Sequence, residues 1–355
     1  MGIALKVKRY YPKTPSGHIP QVVDDAMTRA QDWFIVVLVF AAVSTIIFAS
    51  GLVSLGFVED MGVSPVITSL ALLVPLFLWF KRYEKSQKTS IQEGSVASGK
   101  RVWTEVFGLF LLSMSVRIPF VLILGMSYEK TAVIYLLVLT AVLAIKTDVG
   151  ALGFRTERFA RSLLIGLVFY LALAIPMFTA LFGFVYLFTG HLLVSGYNLL
   201  PAMFVFPYMT FCVGVSEEGL FRGFMQTRLA RVYSERKALL VQAFLFGLWH
   251  FVWHVAPFNL VGMTIHVTTT FAFGLVFGQF FRESQNLVPL ILAHGLVDTV
   301  EYGAIFNQEL EITAYLIQGS QAFSYIIGIV ALALSTKLLA RKAMLAGINS
   351  RQIHT

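Results

Sequence analysis

Three groups of ionisable side chains interrupt apolar stretches of this sequence: Glu217, Glu218 and Arg222 in VGVSEEGLFRGF; His250 behind Phe246, with His254 four residues on; and His294 with Asp298. Carboxylates and imidazoles are the groups that take and return protons near neutral pH. At membrane depth such residues are costly, so they mark function there. On a helix Glu218 and Arg222 share a face, whereas Glu217 points about 100° away. Glu218 is therefore expected to be held ionised by Arg222, and Glu217 to stay unpaired and act as a general base. An ion network at a helix end, without chemistry, is the alternative reading. Asp298 is expected to fix the orientation and tautomer of His294, four residues before it. His250 and His254 also share a face at a spacing that suits a metal pair. No Glu follows the first histidine, however, as the zincin pattern requires.

The elements that must carry these groups are membrane helices. Of 355 residues, 57% are hydrophobic and 13% charged, against about 25% charged in soluble domains, and the mean hydropathy is +0.77. The expected fold is an all-α, polytopic transmembrane helical bundle of about eight to ten membrane helices. Apolar stretches approaching the ~20 residues that cross ~30 Å of hydrocarbon occupy 33–57, 65–80, 106–126, 131–145, 162–188, 199–219, 238–253, 262–281, 287–302 and 321–336. Several are short, and one or two of these are expected to be tilted or re-entrant rather than full crossings.

Lysine and arginine positions give an independent reading, because cytoplasmic loops are enriched in them. Basic residues cluster before the first stretch and after the second, fourth, sixth, eighth and last, while the intervening loops are acidic or nearly uncharged; Lys130 is the exception. Both termini are thus expected in the cytoplasm. The net charge of +8 reads as a topology signal with affinity for anionic membrane lipids, not as a nucleic-acid footprint. The first stretch lacks a cleavage pattern and is expected to be an uncleaved anchor. The single cysteine, Cys212, lies in an apolar run and is expected to fill space. Arg117 with Pro119 is a polar site in the third stretch that no motif explains.

Depth links the three groups. Glu217 lies eleven residues before Arg228, His250 thirteen after Lys237 and His294 twelve after Arg282, so at 1.5 Å per residue each is roughly 16 to 20 Å along its helix from a basic marker. Three helices are therefore expected to bring these side chains to one level. The chain divides into a cytoplasmic arm (1–32), an amino-terminal transmembrane extension (33–145), a core holding the polar chemistry (146–305), and a last membrane helix with a basic tail (306–355).

Glu-Glu-x-x-x-Arg, then Phe-x-x-x-His, then His-x-x-x-Asp in successive helices resembles the CPBP family of CAAX-processing and bacteriocin-processing intramembrane proteases, also called the ABI family; Phe271-x-x-Gly274-x-x-x-Gly278 adds to the likeness. The resemblance covers about 204–300. It implies an intramembrane endopeptidase with a cavity open to the cytoplasm and a membrane-associated protein or peptide as substrate. Glu217 and His250 would activate water, Glu218 and Arg222 would support them, and His294 with Asp298 would face the scissile carbonyl. It also implies either a metal-free glutamate mechanism or a zinc metalloprotease with His250 and His294 as ligands. Position 298 departs from the Asn of the CAAX-processing members, and an ionised Asp cannot donate to an oxyanion. A proton-coupled transporter and a non-catalytic scaffold or immunity-type protein are the readings from other classes. A transporter would favour inverted repeats, which the sequence does not display.

Overall fold

Backbone amides find no water in hydrocarbon, so an apolar chain must bond them internally, and helices do this within one segment. The computed structural model describes residues 34–39, 41–46 and 99–347, apart from Met126, Lys146, Asp148, Thr156, Glu157, Gln308, Glu309, Glu311 and Ile312. The amino-terminal arm and the stretch at 65–80 lie outside the described residues.

From residue 99 the described chain forms α1 (Gly99–Leu124), α2 (Lys130–Leu139, extended by a π turn at Thr140–Ala144) and α3 (Phe159–Thr189). There follow α4 (Leu199–Ala230), α5 (Glu235–Leu248), α6 (Leu260–Ser284), α7 (Val288–Thr299) and α8 (Ala314–Gly347). The fold is the expected all-α polytopic bundle. Among the described residues, α1, α3, α4, α6 and most of α8 are long and apolar enough to cross a membrane. The stretches at 238–253 and 287–302 are not full crossings: α5 and α7 have 14 and 12 residues, about 21 and 18 Å of helix.

Side-chain capping sets several starts. Asn198 accepts from the Leu200 amide, Ser234 from Lys237 and Asn259 from Gly262, opening α4, α5 and α6. One apolar core joins α1, α2, α4 and α5, and a second joins α3, α6, α7 and α8. Phe154, Val215 and Phe273 pack against both. Leu187 on α3 and Leu334 on α8 are each 82% exposed, as lipid-facing residues should be.

The helix α4 departs from regular α geometry. Pro207 has no amide hydrogen to bond back along the helix, and directly after it the backbone widens into a π stretch at Met209–Gly214 and again at Glu218–Gln226. Such widenings recur at functional sites. The start of α4 is tied to the end of α7 by two short antiparallel strands, β1 (Val194–Tyr197) and β2 (Ala304–Phe306). The Asn198 amide also bonds the Gly303 carbonyl at 2.7 Å.

Candidate active site

Where the two cores meet, a cavity of about 590 Å³ is lined by Lys130, Glu217, His250, His266, His294 and Asp298, among others. Glu217 comes from the short α segment between the π stretches of α4 and Glu218 opens the second of them. His250 sits where α5 gives way to a 3-10 turn, and His294 lies midway along α7. The two helices α4 and α7 approach closely: a Cβ on Gly295 would lie 2.2 Å from Thr210 Oγ1 and 2.6 Å from its Cα. Glycine is required there to let the histidine helix reach the carboxylate helix.

The side chains of Glu217 and Glu218 are almost wholly buried, and both reach His294. Glu217 Oε2 stands 3.8 Å from His250 Nε2 and 3.5 Å from His294 Nε2. This oxygen accepts no hydrogen bond among the described residues. The other oxygen, Oε1, accepts the indole N–H of Trp249 at 2.8 Å and also bonds Lys130 Nζ. His250 Nδ1 lies 2.8 Å from the Phe246 carbonyl. A carbonyl only accepts, so Nδ1 carries a proton, and in the neutral imidazole Nε2 turns a lone pair toward Glu217.

His294 Nδ1 lies 2.7 Å from Glu218 Oε1, and its Nε2 lies 3.4 Å from Asp298 Oδ2. Arg222 Nη1 bonds Glu218 Oε1 at 3.1 Å, and its guanidinium lies 4.1 Å from the centre of the Phe246 ring and 5.3 Å from that of Phe277. The expected Glu218–Arg222 pair is present. Its aromatic cover explains how a fully buried Arg222 tolerates Nε and Nη2 without hydrogen-bond partners among the described residues.

Two expectations are corrected. Glu217 is not unpaired: Lys130, 87 residues earlier, bonds one of its oxygens, and no helical periodicity could show a contact at that separation. The carboxylate that orients His294 most directly is Glu218 at 2.7 Å, not Asp298 at 3.4 Å. The π widening that begins at Glu218 breaks the regular spacing from which the 100° divergence of the two glutamates was read. The other expected site residues converge. His254 stands apart, bonded to His266 at 3.0 Å, and His266 in turn lies 5.1 Å from His250 between ring centres. Cys212 is buried beside Tyr208 and Val213, in the space-filling place expected.

Lys130, Trp249, Arg117, Glu129 and His266 escaped the motif reading. Lys130 did leave a signal, as the exception to the alternation of basic loops. It is 1% exposed and faces the cavity. Arg117 is also explained: it pairs with Glu129, donates to the Trp249 carbonyl at 3.1 Å and lies 4.4 Å from the centre of the Trp249 ring. Breaking a buried pair by removing one partner costs about 3–5 kcal/mol, because the other charge is left uncompensated.

Among the described residues no group of three or more His, Cys, Asp or Glu side chains is gathered to hold a metal ion. Lys130 and Arg222 already bring positive charge to the carboxylates.

Comparison with known families matches this region. Residues 198–300 match the Rce1-like family. That family is described as type II CAAX prenyl endopeptidase Rce1-like, in agreement with the resemblance carried by the three motifs. The Rce1-like segment runs from the cap of α4 to the residue after α7. It contains Glu217, Glu218, Arg222, His250, His294 and Asp298, and it excludes Arg117, Glu129 and Lys130. No curated protein and no solved structure matched the chain.

Proposed function

We propose that this chain is a membrane-embedded endopeptidase that cleaves a membrane-associated protein or peptide near the cytoplasmic face, using Glu217 and His250 to activate water. The observation that carries this reading is the free edge of Glu217: Oε2, which accepts no hydrogen bond among the described residues, lies 3.8 Å from His250 Nε2, an acceptor when the ring is neutral. Two acceptors in that relation suit a water that donates to both. Glu217 takes a proton as the water attacks and returns it to the leaving amine.

His294 Nε2 lies 3.5 Å from the same oxygen. With both ring nitrogens protonated it donates one N–H to Glu218 and offers the other to the developing oxyanion. Asp298, which cannot donate when ionised, serves in this reading to hold the second N–H of His294 until substrate arrives. The Rce1-like match over 198–300 supports the reaction class, and the distribution of Lys and Arg supports the cytoplasmic side.

The test compares the termini of membrane proteins in cells carrying the wild-type chain or Glu217→Gln. New peptide ends that vanish in Glu217→Gln are expected. Identical termini in both strains would reject the hydrolase in favour of a transport or scaffold role.

A further inference from the structure

The cavity is flanked by a closed circuit of five side chains. Arg117 bonds Glu129; Lys130 lies 3.6 Å from the same Glu129 oxygen and bonds Glu217 Oε1; Trp249 donates to Glu217 Oε1; and Arg117 closes the circuit by bonding the Trp249 carbonyl and lying over its ring. The members come from α1, the turn before α2, α2, α4 and the end of α5. Each is at most 2% exposed, and their two cations and two carboxylates balance.

We infer that Lys130 is a positioning residue for the proposed reaction: with Trp249 it clamps one oxygen of Glu217 so that the other is presented, in a single orientation, to His250 and His294. The inference rests on the hydrolase reading. Three observations carry it. Lys130 and Trp249 converge on the same oxygen, Oε1, and leave Oε2 bare. Two oxygens of the circuit lack a hydrogen-bond partner among the described residues, Glu129 Oε2 and Glu217 Oε2, and it is the Glu217 oxygen that stands within 4 Å of the His250 and His294 rings. Second, burying four charges is a poor way to hold helices together, because well-packed apolar residues of similar volume often do so at least as well. Third, the circuit fixes both partners of the water site. Arg117 bonds the carbonyl of Trp249, the residue before His250, where α5 breaks into its 3-10 turn. The Glu217 carboxylate and the His250 imidazole are thus referenced to the same frame. Placement matters at this level because a misplacement of about 1 Å can cost about 100-fold in rate.

The experiment uses the full chain in phospholipid vesicles and, as probe, a synthetic peptide spanning the first Glu217-dependent cut found in membranes. Lys130→Met, Lys130→Arg, Trp249→Phe and Glu217→Gln are compared with wild type for kcat, KM, thermal melting and trypsin resistance. Trp249→Phe removes the N–H donor while keeping a ring beneath Arg117. Lys130→Met is expected to lower kcat about 100-fold and Trp249→Phe about 10-fold, with KM within about twofold. Lys130→Arg is expected to recover most of the loss, since a donor to Oε1 is restored. Folded Lys130→Met and Trp249→Phe proteins that cleave at the wild-type kcat overturn the inference while leaving the hydrolase standing. A loss of kcat that tracks melting temperature, unrecovered by Lys130→Arg, also overturns it. If Lys130→Met does not fold, the kcat of Trp249→Phe decides alone. The absence of any cut dependent on Glu217 removes the hydrolase reading and this inference together.

Discussion

Trp249 donates its indole N–H to Oε1 of Glu217 at 2.8 Å. The contact joins a residue at the end of α5 to one within α4, and it sits beside the His250 of the second sequence motif. Two motifs that read as separate in the sequence are therefore joined by a residue belonging to neither pattern. The oxygen left over, Oε2, is where the chemistry is expected.

Glu217→Gln and His250→Ala should each lower cleavage at least about 100-fold, the usual scale for loss of a general base or its partner. Gln is chosen over Ala at 217 because it keeps the volume and an acceptor for Lys130, limiting the cost of a stranded buried ammonium. Terminus profiling measures the activity, and the amount of full-length chain in the membrane fraction should match wild type.

Glu218→Gln should be more damaging than Asp298→Asn. Glu218 lies 2.7 Å from His294 and Asp298 lies 3.4 Å from it, and Glu218 is also the counter-charge of Arg222. Loss of a carboxylate that orients a functional histidine typically costs about 10–100-fold, so Glu218→Gln is placed in that range and Asp298→Asn within about fivefold of wild type. Initial rates on one peptide would check the ranking; a reversed order would make Asp298 the orienting group.

The motifs were legible because carboxylates and imidazoles are conspicuous in apolar helices and because i,i+4 pairs such as Glu218–Arg222 are local. The all-α class was equally legible from composition. Lys130 and Arg117 were not assigned, because their partners Glu217 and Trp249 lie 87 and 132 residues away, beyond any periodicity. Trp249 was hidden for a different reason: an aromatic in an apolar run reads as packing until its N–H finds an acceptor. Where α5 and α7 end was not legible, since apolar loops and 3-10 turns extend an apolar stretch without extending a helix.

Gly274→Ala should destabilise the bundle by about 1–3 kcal/mol, the usual cost of overpacking. The added Cβ would lie 2.8 Å from the Cα of Ala243 on α5, a backbone atom that cannot swing aside. This supports the packing role read from the Gly274 and Gly278 spacing. Thermal melting in detergent provides the measurement, and an unchanged midpoint would show that α5 and α6 can separate without loss.

If Glu217 and His250 activate the water without a metal, a chelator should leave the Glu217-dependent cleavage within about twofold of the untreated rate. Dialysis against chelator, followed by the peptide assay with and without added zinc, distinguishes the cases. Loss of activity restored by zinc would assign water activation to a bound metal instead.

The strands β1 and β2 are brief, yet they run into the beginning of α4 and away from the end of α7. The same two helices touch again at Thr210 and Gly295. Two rods fastened at two separated points can neither slide nor pivot independently. The spacing between Glu217 and His294 is thereby inherited from main-chain pairing well away from either side chain, and loosening the ribbon would blur the centre without altering one of its atoms.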